Sequence, residues 1–202
     1  MDKPITTFIF DWFGVVCRPV LNSWYKEHRL DRGFIDENIK SVFREFDLGR
    51  KSESDIVTHF LGYKEVNSTK DELRREIDNY IGINHSLVNV IRNLKRKNFK
   101  VALLSNANNS FFERKIYVDY PEFKTLFDEV VISSVVGMVK PDPDIYLYTL
   151  EKIHSAPHES LFIDDNQSNV DTALTLGMEG FLYTNNDSFV DYIRKFGVEL
   201  GS

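Results

Sequence analysis

Four polar stations, each at the end of an apolar run, carry the chemistry of this 202-residue chain. Asp11 follows Phe8-Ile9-Phe10, and Ser105-Asn106 follows Val101-Ala102-Leu103-Leu104. Lys140 stands in Gly137-Met138-Val139-Lys140-Pro141-Asp142-Pro143, and Asp164-Asp165 follows Leu161-Phe162-Ile163. A carboxylate at the end of a buried run costs several kcal/mol unless something uses its charge. The adjacent pair Asp164-Asp165 sharpens the point, because like charges repel unless a cation stands between them. Taken singly, Asp11 or Ser105 could cap a helix and Lys140 could be a solvated loop charge. Together they suit one reaction centre. Three carboxylates make a hard oxygen set of the kind Mg²⁺ takes. Lys140 adds positive charge, and Ser105 with the backbone N–H groups that open a following helix can hold anionic oxygens. Metal and lysine then balance the three carboxylates. A phosphate dianion can enter beside them, and a carboxylate can attack its phosphorus.

These stations must be held by buried strands. Apolar runs at 6–11, 100–105, 129–133, 161–164 and 180–183 predict parallel strands, and helical spacing at 86–98, 109–117, 142–154, 168–176 and 188–196 alternates with the later ones. The expectation is an α/β fold, a Rossmann-like doubly wound parallel sheet with right-handed crossovers and functional residues at its carboxyl edge. The segment 20–83 breaks the rhythm. Ile39, Val42, Phe43 and Phe46, then Ile56, Val57, Phe60 and Leu61, then Leu73, Ile77, Tyr80 and Ile81 recur at helical spacing. Gly49 and the polar run 50–54 mark a helix stop and a new N-cap. A helical-bundle cap inserted after the first strand is expected over 20–83, with 1–19 and 84–202 forming the α/β core. Such a lid excludes water from a reaction.

Composition bounds the partners. With 42% hydrophobic and 28% charged residues the chain can bury a core, and a net charge of −6 argues against sequence-independent binding to nucleic acid. The single cysteine, Cys17, excludes an internal disulfide. No apolar stretch approaches the ~18 residues that span a bilayer. The expectation is a cytoplasmic protein, monomer or homodimer, without membrane or nucleic-acid partners.

The order Asp11, Ser105, Lys140, Asp164-Asp165, with a helical insert after the first station, resembles the haloacid dehalogenase-like (HAD) hydrolase superfamily over nearly the whole chain. Residues 139–146 and 162–171 are similar to that family's third and fourth motifs. Residues 46–55 resemble the four-helix cap of its small-sugar-phosphate branch, subfamily I. The resemblance implies that Asp11 is the nucleophile, forming an aspartyl-phosphate. It implies a Mg²⁺ held by the Asp11 carboxylate, the Phe13 carbonyl and the Asp165 carboxylate, with Asp164 beside or behind them. Ser105 and Asn106 would bind the phosphoryl group, Lys140 would steady the nucleophile, Gly14 would let the backbone turn closely, and Asn169 would support the metal loop. The activity so implied is Mg²⁺-dependent hydrolysis of a small phosphorylated metabolite, such as a sugar phosphate.

One position departs from the pattern. Phosphatases of this family usually carry a second aspartate two residues after the nucleophile, where this chain has Phe13. That aspartate protonates the leaving alkoxide and then deprotonates water, help worth ~10²–10⁴ in rate. Four outcomes are compatible with its loss. A phosphatase can take the proton from water, the substrate or a cap residue. A phosphonoacetaldehyde hydrolase, similar at Asp11-Trp12, needs a cap lysine for a Schiff base, and Lys26, Lys40 and Lys51 are candidates. A 2-haloacid dehalogenase also has an aromatic residue here but lacks the late aspartate pair. A phosphate-binding protein on the same fold would need no nucleophile. Retention of Asp11, Lys140 and both late aspartates favours the phosphatase. Without an acid at position 13, aryl phosphates should outpace alkyl ones, and equal rates would mean an acid from elsewhere. Cys17 and Arg18 follow the first station and are candidates for the site mouth, and Trp24 and Tyr25, which begin the insert, are candidates for packing against the substrate.

Overall fold

The computed structural model describes residues 4–27, 37–62 and 66–199. Five strands form one parallel sheet: β1 (Thr7–Phe10), β2 (Lys100–Ser105), β3 (Glu129–Ile132), β4 (Ser160–Asp164) and β5 (Glu179–Leu182). Their spatial order is β3-β2-β1-β4-β5. The chain winds outward through β1, β2 and β3, then returns to place β4 on the other side of β1. The switch in direction therefore falls between β1 and β4, where ligands bind in such sheets.

Both faces of the sheet are buried, which is why its strands read as unbroken apolar runs. Phe8, Phe10, Val101, Leu103, Leu161 and Ile163 point to one layer, and Ile9, Ala102, Leu104 and Phe162 to the other. Between β1 and β2 lie α1 (Val20–Glu27), α2 (Glu37–Asp47), α3 (Glu53–Phe60), α4 (Lys70–Asp78) and α5 (His85–Arg96). The first four have an apolar cluster of their own around Trp24, Ile56, Val57, Phe60 and Leu73. Ser52 and Thr69 open α3 and α4 with reciprocal capping boxes to Asp55 and Glu72. Helix α5 belongs instead to the sheet, burying Leu87, Val88, Ile91 and Leu94 against it.

After β2 come α6 (Asn109–Phe111), a π-helical turn (Phe112–Ile116), α7 (Tyr117–Asp119) and α8 (Phe123–Leu126). A short α9 (Ser133–Val136) follows β3 directly. The predicted strand end at Ser133 is thus a helix start, because its hydroxyl takes the Ala107 N–H at 3.0 Å and donates to the Asp47 carbonyl at 2.6 Å. Helices α10 (Pro143–Lys152) and α11 (Gln167–Thr175) cover the second face, and α12 (Asn186–Ile193) closes the first. Among the described residues no helix is long and apolar enough to cross a membrane.

Candidate active site

Strand register brings the first and last stations together. Phe10 pairs with Ile163 and with Leu103, so Asp11 and Asp164 emerge side by side at the carboxyl edge. Lys140 arrives from the loop between α9 and α10, its side chain buried, with Nζ 2.7 Å from Asp11 Oδ1 and 2.7 Å from Asp164 Oδ2. Asn106 fixes that loop. Its Nδ2 donates to the Lys140 carbonyl at 2.9 Å and its Oδ1 accepts the Lys140 N–H at 2.8 Å. The Asn106 side chain therefore orients the lysine.

Asp164 is occupied on both oxygens. It accepts the Asn166 N–H at 2.8 Å, the Asn169 amide at 3.1 and 3.0 Å, and the Lys140 ammonium. Asn169 is anchored in turn by its carbonyl, which takes the Tyr146 hydroxyl at 3.0 Å. This makes Asp164 a residue that holds Lys140 and its own loop in place.

The electrostatics call for a further cation. Burial above all pushes the Asp11 carboxyl up, Lys140 opposes the rise, and Asp164 and Asp165 add to it. Burial would depress the Lys140 ammonium, but Asp11 and Asp164 outweigh that and hold it above its ordinary value. Three carboxylates gather around one ammonium. Asp11, Asp164 and Asp165 each offer an oxygen within 4.8 Å of the others. The Phe13 carbonyl, two residues after Asp11, accepts no hydrogen bond from the described residues. Gly14, at φ +89°, lies so close that a Cβ there would sit 2.1 Å from Asp165 Oδ2. Hard oxygen donors, clustered carboxylates and a backbone packed onto one of them fit a small divalent cation such as Mg²⁺.

Ser105, the last residue of β2, is fully buried and its hydroxyl has no partner among the described residues. An orphan hydroxyl of this kind costs about 1–3 kcal/mol unless a ligand satisfies it. Its position at the edge, beside the Asn106–Lys140 pair, suits a phosphoryl oxygen.

A cavity of about 570 Å³ lies between the insert and the core and meets the site's neighbourhood at Phe13, Asn106 and Asn166. Phe43, Phe46, Ile56, Val57 and Phe60 line it from the insert, and Phe13, Phe111, Asn106 and Asn166 from the core. Phe13 packs against Phe111 with ring centres 5.7 Å apart. Three acids also line the cavity: Asp47, Glu53 and Asp78. Glu53 accepts from Arg114 at 3.0 and 3.1 Å and from Ser110 at 2.6 Å, and Asp78 takes Arg114 in a two-point pair at 2.6 and 3.0 Å. Asp47 has no side-chain partner among the described residues. Burial pushes its carboxyl up to about 7, opposed by the Lys140 charge.

The structure thus assembles Asp11, Lys140, Asp164, Asp165 and Ser105 at one edge and sets Phe13 in the cavity wall. Other candidates lie elsewhere. Cys17 is buried, its thiol pushed up to about 11 by burial. Arg18 packs over Gly82, and Trp24 sits inside the insert with Nε1 bonded to Glu76 at 2.9 Å. Lys40 and Lys51 do not line the cavity, and the side chains of Tyr25, Lys26 and Ile39 lie outside the described residues. Sequence reasoning did not single out Asp47 or the Arg114 cluster. For Asp47 the available signal was an acid just before the helix-stopping Gly49.

A parallel sheet with an aspartate, a serine and an aspartate pair at three strand ends, and a lysine brought to them by a loop, defines a hydrolase class. The haloacid dehalogenase-like hydrolase family model matches residues 5–177, and the chain belongs to that family. It is 26% identical over 215 residues to bifunctional epoxide hydrolase 2 of Sus scrofa, an alignment that takes in 95% of this chain and 39% of that protein. The chain spans no more than about two fifths of the first curated relatives it matches. It is 27% identical over 191 residues to the sesquiterpene phosphatase astK of Aspergillus oryzae, covering 90% of this chain and 92% of that protein. Its fold matches a HAD family enzyme of Bacteroides thetaiotaomicron, solved as a magnesium complex, with TM-score 0.73, 18% identity, and coverage of 95% and 100% of the two chains.

Proposed function

We propose that this chain is a Mg²⁺-dependent phosphomonoester hydrolase that works through an aspartyl-phosphate on Asp11 and acts on esters whose organic group is largely apolar. The observation that carries the chemistry is the Asp11–Lys140–Asp164 chain of 2.7 Å contacts beside an unpartnered, buried Ser105 hydroxyl. Asp11, the Phe13 carbonyl and Asp165 would hold Mg²⁺, with Asp164 behind them. When bound, the cation lowers the repulsion between the attacking carboxylate and the phosphoryl oxygens. Lys140 keeps Asp11 oriented and neutralised, and Ser105 takes one phosphoryl oxygen. Asn106 holds the Lys140 loop. The segment 20–83 acts as the cap that covers the site.

The substrate class rests on the cavity. Its volume of about 570 Å³ lies within the usual range of ligand pockets, and beside the acids Asp47 and Glu53 its walls from α2 and α3 are the apolar side chains Phe43, Phe46, Ile56, Val57 and Phe60. A sugar would leave hydroxyls unpaired against them, at a cost of about 1–3 kcal/mol each. The relative astK, matched over nearly its whole length, carries the name of a sesquiterpene phosphatase. A Schiff-base mechanism has less support, since neither Lys40 nor Lys51 lines the cavity.

The test is phosphate release from ethyl, octyl, farnesyl and sugar monophosphates with and without Mg²⁺. Turnover should require the cation, favour the larger apolar groups, and fall by about 10⁴-fold or more in Asp11→Asn. Metal-independent turnover, or activity surviving Asp11→Asn, overturns the mechanism. Preference for the sugar phosphates overturns the substrate class.

A further inference from the structure

Phe13 cannot protonate a leaving alkoxide, yet the cavity whose wall it shares is also lined by three acidic residues. Two, Glu53 and Asp78, already accept hydrogen bonds from Arg114 and, for Glu53, from Ser110. The third, Asp47, is the last residue of α2 and is pinned at the site by its backbone. Its carbonyl takes the Ser133 hydroxyl, and Asn108 Nδ2 donates to the neighbouring carbonyls of Phe46 and Lys51 at 3.3 and 3.1 Å. Its carboxyl lines the same cavity as Phe13 and Asn106, and it is absent from the cation-binding set.

We propose that Asp47 is the general acid and base of this enzyme, performing from the cap the proton transfers that Phe13 cannot. The inference rests on the aspartyl-phosphate reading above. An Asp11 oxygen attacks phosphorus, the P–O bond to the organic group breaks, and the departing oxygen takes the Asp47 proton to leave as an alcohol. Water then attacks the aspartyl-phosphate and gives its proton to the Asp47 carboxylate. The P–O bond to Asp11 breaks, releasing phosphate and restoring both residues. The environment of Asp47 suits the task, since a catalytic acid works best with a pKa near the working pH. Burial keeps the proton on, Lys140 is the one cation acting against it, and the α9 and 106–108 segments packed beside it carry no ionisable side chain. Arg44, on the same helix, is paired with Asp142 at 2.9 Å.

The experiment compares ethyl phosphate, whose alkoxide needs a proton, with 4-nitrophenyl phosphate, whose phenolate does not. Asp47→Asn should lower kcat/KM for ethyl phosphate about 10²-fold or more relative to the aryl ester. It should also abolish the fall in alkyl turnover as pH rises through about 7. Asp47→Glu should restore part of the alkyl rate. A ¹³C carboxyl resonance present in the native protein and missing from Asp47→Asn should titrate well above the usual aspartate range. Equal losses on both esters, an unchanged alkyl rate, or a carboxyl titrating near 4 overturns the proposal. Asp11→Asn separates the two layers, because it must stop both esters. Survival of both would fell the nucleophile, whereas Asp11 dependence with an unmoved alkyl-to-aryl ratio would fell Asp47 alone.

Discussion

Asp47 should make the protein less stable above neutrality, and Asp47→Asn should reverse this. A carboxyl whose native pKa is raised binds its proton more tightly in the folded than in the unfolded state. Stability from such a group is complete below the unfolded value and drains away as pH climbs to the folded one. For Asp47 those limits are 3.8 and about 7. At about 1.4 kcal/mol per pKa unit the full loss is about 4 kcal/mol. Water reaching the part-exposed carboxyl reduces it, so about 2–4 kcal/mol is the expected span. An asparagine does not titrate. The variant should therefore gain on the native protein progressively between about pH 4 and about pH 7 and hold its advantage above that. Asp11 also has a raised pKa, but it is present in both proteins and cancels in the difference. Urea unfolding in metal-free, phosphate-free buffer at about pH 4.5, 6 and 8, followed by the fluorescence of buried Trp12 and Trp24, measures that difference. A gap that does not vary with pH, or a variant less stable at about pH 8, would refute the reasoning. A substitution that stabilises the fold while crippling alkyl turnover is the expected mark of a functional rather than structural carboxyl.

Two further perturbations probe the remaining parts. Gly14→Ala sets a Cβ 2.1 Å from Asp165 Oδ2 at φ +89°, so Asp165 must retreat by about 1 Å to reach ordinary contact. Mg²⁺ affinity by calorimetry should fall about 10–100-fold, the scale seen when support around a metal ligand is lost, with a strain cost of about 1–2 kcal/mol in unfolding. Undiminished affinity would remove Asp165 from the ligand set. In the cavity wall, Val57→Asn adds an unpaired amide, and kcat/KM for octyl phosphate should drop about tenfold while ethyl phosphate changes far less. Parallel losses on both esters would mean that the wall does not contact the organic group.

Much of this arrangement was legible because buried parallel strands leave a simple trace. Both faces of β1, β2 and β4 are covered, so each strand is an uninterrupted apolar run with its chemistry at the carboxyl end. What escaped depends on tertiary contacts. Ser133 reads as the end of a strand, and only its two bonds to Ala107 and Asp47 make it a helix start. Residues 109–117 read as one helix, but a π-helical turn interrupts them. The bonds from the Asn106 side chain to the Lys140 peptide have no trace in the sequence. The contents of the cavity were the least legible. The facing of α2 and α3 is decided by how they pack, and Arg114 meets Glu53 across 61 positions of sequence.

Phe13 and Asp47 become one device when considered with the cavity. An aspartate at position 13 would stand in a wall shared with Phe111 and, in the bound state, would face an apolar leaving group. Desolvating it there would cost several kcal/mol. Phenylalanine removes that cost and extends the apolar wall to the mouth of the phosphoryl site, but it also removes the acid. Asp47 lies across the cavity, where its own burial keeps it protonated near neutrality and the Ser133 and Asn108 bonds fix its backbone to the core. Those bonds exist only while the insert is docked. An acid carried by the insert is therefore positioned only when the cavity is closed, which ties protonation of the leaving group to exclusion of water from the aspartyl-phosphate.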